Sequence, residues 1–598
     1  MESSEDSRWK IPSQNVKIIA EIANAHQGKE ENIMALIKGA AENGADGIKF
    51  QWFKYDHLAV PTYYAYEDYV KLFINEVSWE RCVKAAKELG LEVWVDIFDL
   101  WGVQLLKKLM DVVDGIKLPP TVIQSTDLIK SIGKINKPVL LGVGGWLDEE
   151  MDEIIHYVKK HITNEIILMH GFQGYPTKTE DVNLKRIPYL KEKYSLPVGF
   201  ADHKDAESEL ALELPVYAYL QGATIIEKHI TQNRAEKGYD YYSSLEPEEF
   251  KRLRMKLQEA EIAMGSLQIK EAERKYLENA EIRAVCNNDL KKGEIITLDH
   301  VSFKRCPDVH ALKPFQAEKL FPQIITANKT KNEPIEFADI KKPKITIAVI
   351  CRLKSTRLPK KALLPIFGIP SIERCLQNCL AIPNIDHVVL ATSNLPEDDP
   401  LEAFTMDGKV TVYRGSPDNV ADRMLQVAEL TNADIIIRIT GDCPVVSPEV
   451  MQYLIEKHLE YGVDYTQEAS SAMGVSGNII TVEALKRLTT QPKPLTQTEY
   501  LSFYFLNNPS LFSSNKVALP EELHDPNWRL TLDEPADLQM FEKLYQELNI
   551  KNEPLYYQQI KELLTNDPSI INMNQAISVK WLEDQSLIEE ISKSTIIE

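Results

Sequence analysis

Eight short, β-branched apolar runs recur through the first half of the chain. They are the segments 16–23, 47–53, 91–98, 115–120, 138–145, 165–172, 197–203 and 223–230. Amphipathic stretches such as EENIMALIKGAAENG lie between most of them, so strands and helices are expected to alternate. Eight βα repeats close most naturally into a parallel TIM-type (β/α)8 barrel. A doubly wound open sheet is the alternative, but such a sheet usually stops at about six strands.

Two further regions follow this pattern. Residues 281–341 contain short strands around turn residues and a weak internal repeat, which indicate a small β-rich module. From residue 345, runs such as ITIAVICR and HVVLATS alternate with helical stretches, which is typical of a three-layer α/β domain. We therefore expect a barrel at 1–278, the small module at 279–343 and an α/β domain at 344–598, with the polar KKPK segment at 341–344 as a boundary.

The charge balance limits the classes of partner. The chain has 68 Lys and Arg against 89 Asp and Glu, a formal net charge of -21. This argues against nucleic acid and anionic membranes, because both bind extended basic surfaces. The 7 cysteines form no CxxC pair, which fits a reducing compartment. Since the start MESSEDSRWK is acidic and polar, we expect no signal peptide and a cytoplasmic protein.

In a parallel barrel, functional side chains collect at the C-terminal ends of the strands. The polar residues expected there are Glu21, Asn24, Lys49, Gln51, Lys117, His203 and His229. His203 and His229 end neighbouring strands, so their imidazoles could converge on one divalent cation such as Mn²⁺, Zn²⁺ or Fe²⁺. Two unrelated structural histidines are the alternative.

The two inward lysines predict a charge partner inside the barrel. Lys49 and Lys117 lie on apolar strands, where an unpaired ammonium group is costly. A buried anion would satisfy them, which implies an anionic substrate. An internal ion pair with Glu21 or Glu227 is the alternative.

Several segments of the barrel region carry a family resemblance. IIAEIANAHQGKEENIMALIKGAAENGADGIKFQ, YPTKTEDVNL, VGFADH and GATIIEKHIT resemble the sialic acid synthase family, including its spore coat polysaccharide relatives. NDLKKGEIITLDHVSFKR resembles the antifreeze-like (SAF) module that follows the barrel in these enzymes, so the resemblance covers nearly all of 1–341. It implies condensation of phosphoenolpyruvate with a sugar or aminosugar aldehyde, using Mn²⁺ or another divalent metal, to give a nonulosonic acid.

The resemblance also implies roles for individual residues. These are metal binding by His203 and His229, contact with the reacting groups by Glu21, phosphoenolpyruvate binding by Lys49, Lys117 and Asn183, and contact with the sugar's acyl group by Arg305 of the partner subunit. Asn24 and Gln51 are expected to contribute to substrate binding. The role of Arg305 implies a homodimer in which the antifreeze-like module is domain-swapped.

Four positions depart from the family pattern. They are Pro120, Val122, Gly142 and Ala201, which stand in place of three hydroxyl donors and one acidic residue. A lost hydrogen bond to a charged group costs about 1.5–3 kcal/mol, so the losses matter. We favour replacement of these groups by His170 and Gln173 of the HGFQG segment. A substrate other than phosphoenolpyruvate, or a barrel without catalytic activity, are the alternatives.

A basic stretch, CRLKSTRLPKKALLPIFG, follows the apolar run ITIAVI. Such a strand-to-helix turn presents cations and backbone N–H groups to phosphate, although a solvated basic loop is the alternative. ATSNLPEDDP, YRGSPDNVADR, IIIRITGDCPVV and LTLDEPADL follow it in order. Together these segments resemble the cytidylyltransferases that activate acidic sugars, especially the spore coat polysaccharide type.

This second resemblance implies binding of CTP with Mg²⁺. The residues implied to bind the nucleotide are Arg352, Ser355, Thr356, Arg357, Lys361, Arg414 and Arg423, while Asn419 and Arg438 are candidates for contact with phosphate or a sugar carboxylate. Asp442 and Asp533 are expected to converge on Mg²⁺, which prefers oxygen ligands. Arg357 and Asp442 are the candidate catalytic residues of this domain, and those of the barrel are Glu21, Lys49, Lys117, His203 and His229.

The two halves together predict a bifunctional enzyme of nonulosonic acid biosynthesis for polysaccharide. The barrel would make the sugar acid, and the last domain would couple it to CMP with release of pyrophosphate. An active cytidylyltransferase whose barrel takes another substrate, or serves only as a scaffold, is the alternative.

Overall fold

The computed structural model describes residues 16–577 and 584–597. Two compact units divide between Gln268 and Ile269. The N-terminal stretch that predicts the absence of a signal peptide lies outside the described residues. Within the described ranges, no helix combines the length and apolar character needed to cross a membrane.

The first unit is the predicted parallel barrel. Within residues 16–268, eight strands close in chain order, each paired in parallel with the next, and the eighth with the first. The strands are β1 (Lys17–Glu21), β2 (Gly47–Trp52), β3 (Glu92–Ile97), β4 (Gly115–Leu118), β5 (Val139–Gly142), β6 (Ile166–His170), β7 (Val198–Asp202) and β8 (Ile225–His229). The helices are α1 (Glu30–Glu42), α2 (Tyr55–Leu58), α3 (Tyr66–Leu72), α4 (Glu76–Glu88), α5 (Leu100–Lys108), α6 (Thr126–Ile132), α7 (Asp148–His161), α8 (Arg186–Tyr194), α9 (Glu213–Leu220) and α10 (Pro247–Met264).

The alternation of side chains along each strand determines which residues face the interior of the barrel. Ile18 and Ile48 face outward into the core beneath the helices. Ile19 and Trp94 face inward and belong to a small apolar cluster inside the barrel. Because successive side chains alternate between faces, the next inward positions are polar residues at the C-terminal ends of the strands.

The second unit contains the small module and the α/β domain. The module has α11 (Glu271–Ala280), α12 (Pro314–Leu320), and strands β9 (Ile282–Cys286), β10 (Ile295–Ile296), β11 (Val301–Arg305), β12 (Gln323–Ile325) and β13 (Ile340–Lys341). Strands β9 and β11 pair with each other, and β10, β12 and β13 form a second small sheet. The predicted β-rich character of this region is therefore present.

The α/β domain is built on a mixed sheet. Over the described part of 345–598, seven strands pair in the order β18-β17-β14-β19-β21-β20-β22. The strands are β14 (Ile345–Ile350), β15 (Pro365–Ile366), β16 (Ile369–Pro370), β17 (His387–Ser393), β18 (Val410–Gly415), β19 (Ile435–Thr440), β20 (Tyr465–Glu468), β21 (Asn478–Thr481) and β22 (Ser514–Val517). The helices are α13 (Ser371–Leu380), α14 (Val420–Thr431), α15 (Pro448–Tyr461), α16 (Val482–Thr489), α17 (Leu501–Asn507), α18 (Pro535–Leu548), α19 (Tyr557–Asn566), α20 (Ser569–Asn572) and α21 (Gln585–Ser594).

Two apolar cores on the faces of this sheet give the predicted three layers. Ile347 packs into one core and Ala348, its neighbour along β14, into the other. The four predicted strands β14, β17, β18 and β19 are present, and β20, β21 and β22 extend the sheet beyond them.

The small module shares a core with the α/β domain. Ile295 of β10 and Ile324 of β12 are buried in the same cluster as Ile345 of β14. Lys341, the first residue of the KKPK segment, ends β13 and pairs with Asp434 at 2.6 Å. The segment is therefore tied to the α/β domain at its first residue, and the predicted three-domain division stays a prediction.

Candidate active sites

A buried network of charges lies at the C-terminal end of the barrel. Lys49 Nζ donates to Asp96 Oδ1 and Oδ2 at 3.0 and 2.8 Å, lies 3.1 Å from Glu227 Oε1, and also contacts Glu21. Lys117 Nζ donates to the two carboxylate oxygens of Glu227 at 2.6 and 2.8 Å. All five side chains are buried. Both lysines therefore form internal ion pairs. The sequence analysis named such pairs as the alternative to a bound anion.

The network perturbs its own carboxyl groups. Burial raises the pKa of Glu21 to about 8, against the opposing attraction of Lys49. Burial also acts on Glu227, but Lys117 and Lys49 outweigh it and hold the pKa of that carboxyl below its usual range. Glu21 and Glu227 thus favour different protonation states within one site, which is a common arrangement in acid–base chemistry.

Asp96 is a site residue that the sequence reasoning missed. Its carboxyl group is buried, and burial raises its pKa against the attraction of Lys49. The signal was present, because the alternation in VWVDIF places Asp96 on the same inward face as Trp94. An acidic residue on the inward face at the C-terminal end of a barrel strand belongs among the site candidates.

His203 and His229 lie side by side beside this network. Their ring centroids are 5.3 Å apart, and burial lowers the pKa of each to about 3, so both imidazoles are neutral near pH 7. His203 Nδ1 lies 3.1 Å from the carbonyl oxygen of Phe172. The Nδ1 atom of His229 is buried and meets no hydrogen-bond partner among the described residues. Neutral imidazoles with a free nitrogen are the form of histidine that binds metals.

Tyr175 also belongs to this histidine site. Its ring packs edge-on against His203 at 4.4 Å between centroids and lies 6.4 Å from His229. The sequence reasoning did not select Tyr175, although it begins the YPTKTEDVNL segment. In the part of the chain that is described, no three His, Cys, Asp or Glu side chains form a ready-made metal site. A cation at this position would therefore have two imidazole ligands, those of His203 and His229.

The predicted substrate-binding residues of the barrel have varied surroundings. Asn24 follows β1, and its Oδ1 atom is buried with no hydrogen-bond partner within residues 16–577 and 584–597. Gln51 lies half-buried near the C-terminal end of β2, two residues beyond Lys49 and on the same face. Gln51 pairs in register with Asp96 of the charged network, and the buried Oδ1 atom of Asn24 could accept a hydrogen bond from a ligand.

The residues expected to replace the missing donors differ from one another. His170 is buried, and its Nε2 lies 3.1 Å from the carbonyl oxygen of Val182. Gln173 is exposed, and its Nε2 lies 3.4 Å from the carbonyl oxygen of Gly171. Asn183 is also exposed and has a φ of 48°. Of the two expected replacements, His170 and Gln173, the exposed Gln173 therefore has the longer hydrogen bond and is freer to contact a ligand.

Two of the departures from the family pattern are in direct contact. A Cβ atom added to Gly142 would lie 2.5 Å from Cδ of Pro120. The carbonyl oxygen of Pro120 accepts a hydrogen bond from Trp146 Nε1 at 3.0 Å. Val122 ends the short 3-10 turn that begins at Pro120. The proline ring thus fills the space that a side chain at position 142 would need.

In the second unit, Lys361 joins the two predicted metal ligands. Its Nζ atom lies 2.6 Å from Asp442 Oδ2 and 2.7 Å from Asp533 Oδ1. Arg357 Nη2 lies 3.2 Å from Asp533 Oδ1. Lys361 holds the pKa of Asp442 below its usual range although burial opposes the shift. The two carboxylates are therefore close enough to share one cation, and an ammonium group fills that position here.

A cavity of about 200 Å³ adjoins Lys361. The charged residues that line it are Arg352, Lys354, Lys361, Arg423, Arg438, Asp442 and Glu499. Arg423 is fully buried, and its Nε and Nη2 atoms lack a hydrogen-bond partner anywhere in the described chain. Burial lowers the pKa of Arg423 and of Arg438. Buried guanidinium N–H groups without acceptors favour the binding of an anion.

Other predicted nucleotide-binding residues lie around this cavity or outside it. Arg352 donates to the carbonyl oxygen of Pro417 at 2.7 Å, and it also pairs with Glu499. The Ser355 hydroxyl accepts a 3.4 Å hydrogen bond from the Leu358 backbone, and Thr356 is exposed. Arg352 therefore lines the cavity. Ser355 and Thr356 do not line it and belong to the turn that follows Arg352 in the chain.

Arg414 and Asn419 have partners of their own. Arg414 pairs with Asp399 at 2.7 Å and with Glu402, and its Nε donates to the carbonyl oxygen of Ser393 at 3.0 Å. The Asn419 side chain accepts a hydrogen bond from the backbone of Asp422 and caps α14. Neither residue is among those that line the cavity. Arg414 would have to leave these partners to reach a nucleotide.

Comparison with known proteins identifies two families. The NeuB family matches residues 36–269, and a family described as Cytidylyltransferase matches residues 346–563. An N,N'-diacetyllegionaminic acid synthase of Campylobacter jejuni is 31% identical over 337 residues, which are 53% of this chain and 98% of that protein. The spore coat polysaccharide biosynthesis protein SpsF of Bacillus subtilis is 32% identical over 207 residues, 34% of this chain and 86% of that protein.

The chain belongs to both families. A pseudaminic acid synthase of Campylobacter jejuni is also similar, with 28% identity over 341 residues, 54% of this chain and 94% of that protein. The two resemblances inferred from the sequence are therefore confirmed. A NeuB synthase-like domain precedes a cytidylyltransferase domain, and both are transferases.

Proposed function

We propose that the chain carries out two steps of nonulosonic acid biosynthesis. The NeuB domain condenses phosphoenolpyruvate with a sugar aldehyde, forming a C–C bond, while water replaces the phosphate group that is released. The cytidylyltransferase domain then joins the anomeric hydroxyl of the sugar acid to the α-phosphate of CTP and releases pyrophosphate. The legionaminic and pseudaminic acid synthases among its relatives favour an N-acylated aminosugar as the aldehyde.

The paired imidazoles support the synthase step. Two neutral imidazoles suit Mn²⁺ or a similar divalent cation with open positions for water and substrate. Such an ion, held by His203 and His229, would polarise the aldehyde oxygen. Lys49 and Lys117 would face the anionic groups of phosphoenolpyruvate, after giving up part of their contact with the carboxylates.

The observation that carries the proposal is the cavity of the second unit. It brings the buried Nε and Nη2 atoms of Arg423 and the Nε atom of Arg438, which have no hydrogen-bond partner among the described residues, into the cavity that Asp442 and Lys361 also line. A triphosphate needs cations around its oxygens, and Mg²⁺ needs carboxylate ligands beside them. Asp442 and Asp533 are the residues that would hold Mg²⁺.

We extend the proposal to the assembly. Arg305 is exposed at the end of β11, which suits contact with a second subunit. In a domain-swapped homodimer, Arg305 of the partner subunit would approach the sugar in the barrel. Measuring the mass of the protein in solution tests the dimer, and Arg305→Ala should then raise KM for the sugar with little change in the dimer.

Phosphate release tests the synthase step. Purified protein with Mn²⁺, phosphoenolpyruvate and a panel of aminosugar aldehydes should release phosphate, and His229→Ala should abolish it because one of the two imidazoles is lost. His156→Ala, at an exposed position of α7, is the matched control and should retain the activity. Absence of phosphate release with every sugar, while CTP turnover is normal, would instead support the scaffold alternative.

Pyrophosphate release tests the second step. Asp442→Asn should reduce release from CTP and a nonulosonic acid to the background rate, because the carboxylate that would hold Mg²⁺ is neutralised. Asp407→Asn is the control, since Asp407 is exposed and asparagine tolerates its φ of 55°. Unaltered release from the Asp442→Asn protein would contradict the metal assignment.

A further inference from the structure

Lys361 occupies the position between two carboxylates that a metal ion would need. Its ammonium group contacts Asp442 and Asp533 at 2.6 and 2.7 Å, and the three side chains are at most 24% exposed. The backbone of Lys361 is fixed as well, because its carbonyl oxygen accepts a hydrogen bond from Ser371 Oγ at 2.9 Å. A divalent cation and this ammonium group cannot both lie between the same two oxygens, because like charges repel at short range.

The backbone segments that carry the two carboxylates are held in place by contacts that do not involve Lys361. The backbone of Leu532 donates to the carbonyl oxygen of Asp442 at 2.8 Å, which ties the two loops together. The backbone of Asp533 donates to Asp537 Oδ2 at 2.9 Å, and Asp537 is itself paired with Arg529. Removing the ammonium group should therefore leave both carboxylates in position to accept another cation.

The ammonium group of Lys361 could also bind an anion in the adjoining cavity. Lys361 lines the cavity that contains the unpartnered N–H groups of Arg423, so an anion bound there would lie within its reach. A phosphate group in the cavity would offer the lysine a new partner of opposite charge. The carboxylates would then be released for a metal ion at the moment when the triphosphate arrives.

We propose that Lys361 is an internal counter-ion that makes Mg²⁺ binding depend on CTP. Without nucleotide, the ammonium group competes with Mg²⁺ for Asp442 and Asp533. With nucleotide, the ammonium group moves to phosphate, and Mg²⁺ and CTP bind with positive cooperativity. The inference rests on the proposed cytidylyltransferase function and adds an order to the binding of its two ligands.

Titration calorimetry with Mg²⁺ on the full chain tests this, with no sugar acid present so that no turnover occurs. In the absence of CTP, Lys361→Met should bind Mg²⁺ about tenfold more tightly than the wild type, a limited gain because Arg357 still faces Asp533. CTP should tighten Mg²⁺ binding about tenfold in the wild type but less than about twofold in Lys361→Met. The binding heat that Asp442→Asn removes defines the signal from this site.

Two further variants control the result. Lys360→Met alters the neighbouring exposed lysine, whose φ is 52°, and should keep the wild-type affinity for Mg²⁺. Lys361→Gln removes the charge but keeps a hydrogen-bond donor, so it replaces Lys361→Met if that protein unfolds. Equal or weaker Mg²⁺ binding by the folded Lys361 variants, without CTP, would overturn the inference.

Pyrophosphate release by the wild type separates the inference from the function on which it rests. If the wild type turns over CTP but its Mg²⁺ affinity is unchanged by the Lys361 substitutions, the counter-ion inference is wrong and the function stands. If the wild type fails to turn over CTP while Lys361→Met binds Mg²⁺ more tightly, the competition is supported and the proposed reaction is wrong.

Discussion

Replacing Asp96 by asparagine should tighten the binding of phosphoenolpyruvate to the barrel. The buried network contains three carboxyl groups and two ammonium groups, and Asp96 forms both of its hydrogen bonds with Lys49. An entering phosphate must compete with these carboxylates for the lysines. Asparagine has nearly the same shape and can still accept a hydrogen bond from Lys49, but it has no charge.

The size of the effect follows from the charge that is removed. At an effective dielectric constant of about 20, two like unit charges about 6 Å apart repel by about 2.8 kcal/mol. Asp96 also helps to keep Lys49 in position, so we expect about half of this to appear as affinity, which is about tenfold in Kd. The substitution should leave the fold intact, because the other partners of Lys49 remain.

Calorimetric titration with phosphoenolpyruvate measures this directly, and KM in the phosphate-release assay gives a second value. Glu92→Gln is the matched control, since Glu92 begins the same strand, β3, and pairs with Lys17 at 2.7 Å. That variant should bind phosphoenolpyruvate as the wild type does. Weaker binding by Asp96→Asn would refute the reasoning and show that the carboxylate of Asp96 orients Lys49 for the substrate.

Two further predictions concern the stability of the second unit. His458 is fully buried and burial lowers its pKa to about 3, so the stability that its neutral form contributes is present above about pH 6.5 and is lost as the pH falls toward 3. His458→Gln should flatten that acid-side decline in urea unfolding, and an unchanged slope would contradict the assignment. Ile324→Ala should lower the free energy of unfolding by about 2–5 kcal/mol, because Ile324 is fully buried in the shared core, whereas the exposed Ile282→Ala should have little effect.

The barrel could be predicted because its pattern is local. Each apolar run is followed by an amphipathic stretch, so strand type and order can be read from neighbouring residues. Strands β20, β21 and β22 have four residues each and include polar positions such as Gln467 and Asn515. Their pairing depends on partners distant in sequence, for example Thr466 with Asn515, so no local signal marked them.

The candidate sites show the same division. Spacing and strand position brought His203 and His229 together in the prediction, and the rings do lie side by side. The ion pair between Lys49 and Asp96 could not be predicted. The distance between two side chains on neighbouring strands depends on the register of the strands and on the rotamers of the side chains. The ion pair between Arg414 and Asp399 could not be predicted either. The two residues belong to different structural elements, so the sequence motif that contains Arg414 gives no indication of this partner.

The contact between Gly142 and Pro120 restricts how this barrel can change over evolutionary time. A serine at position 142 alone would place its Cβ atom against the proline ring at 2.5 Å, which the backbone cannot accommodate without shifting. A serine fits at that position only if residue 120 changes as well or the backbone shifts. The residues allowed at positions 120 and 142 therefore depend on each other, and a side chain at 142 is tolerated more readily after Pro120 has been replaced than before.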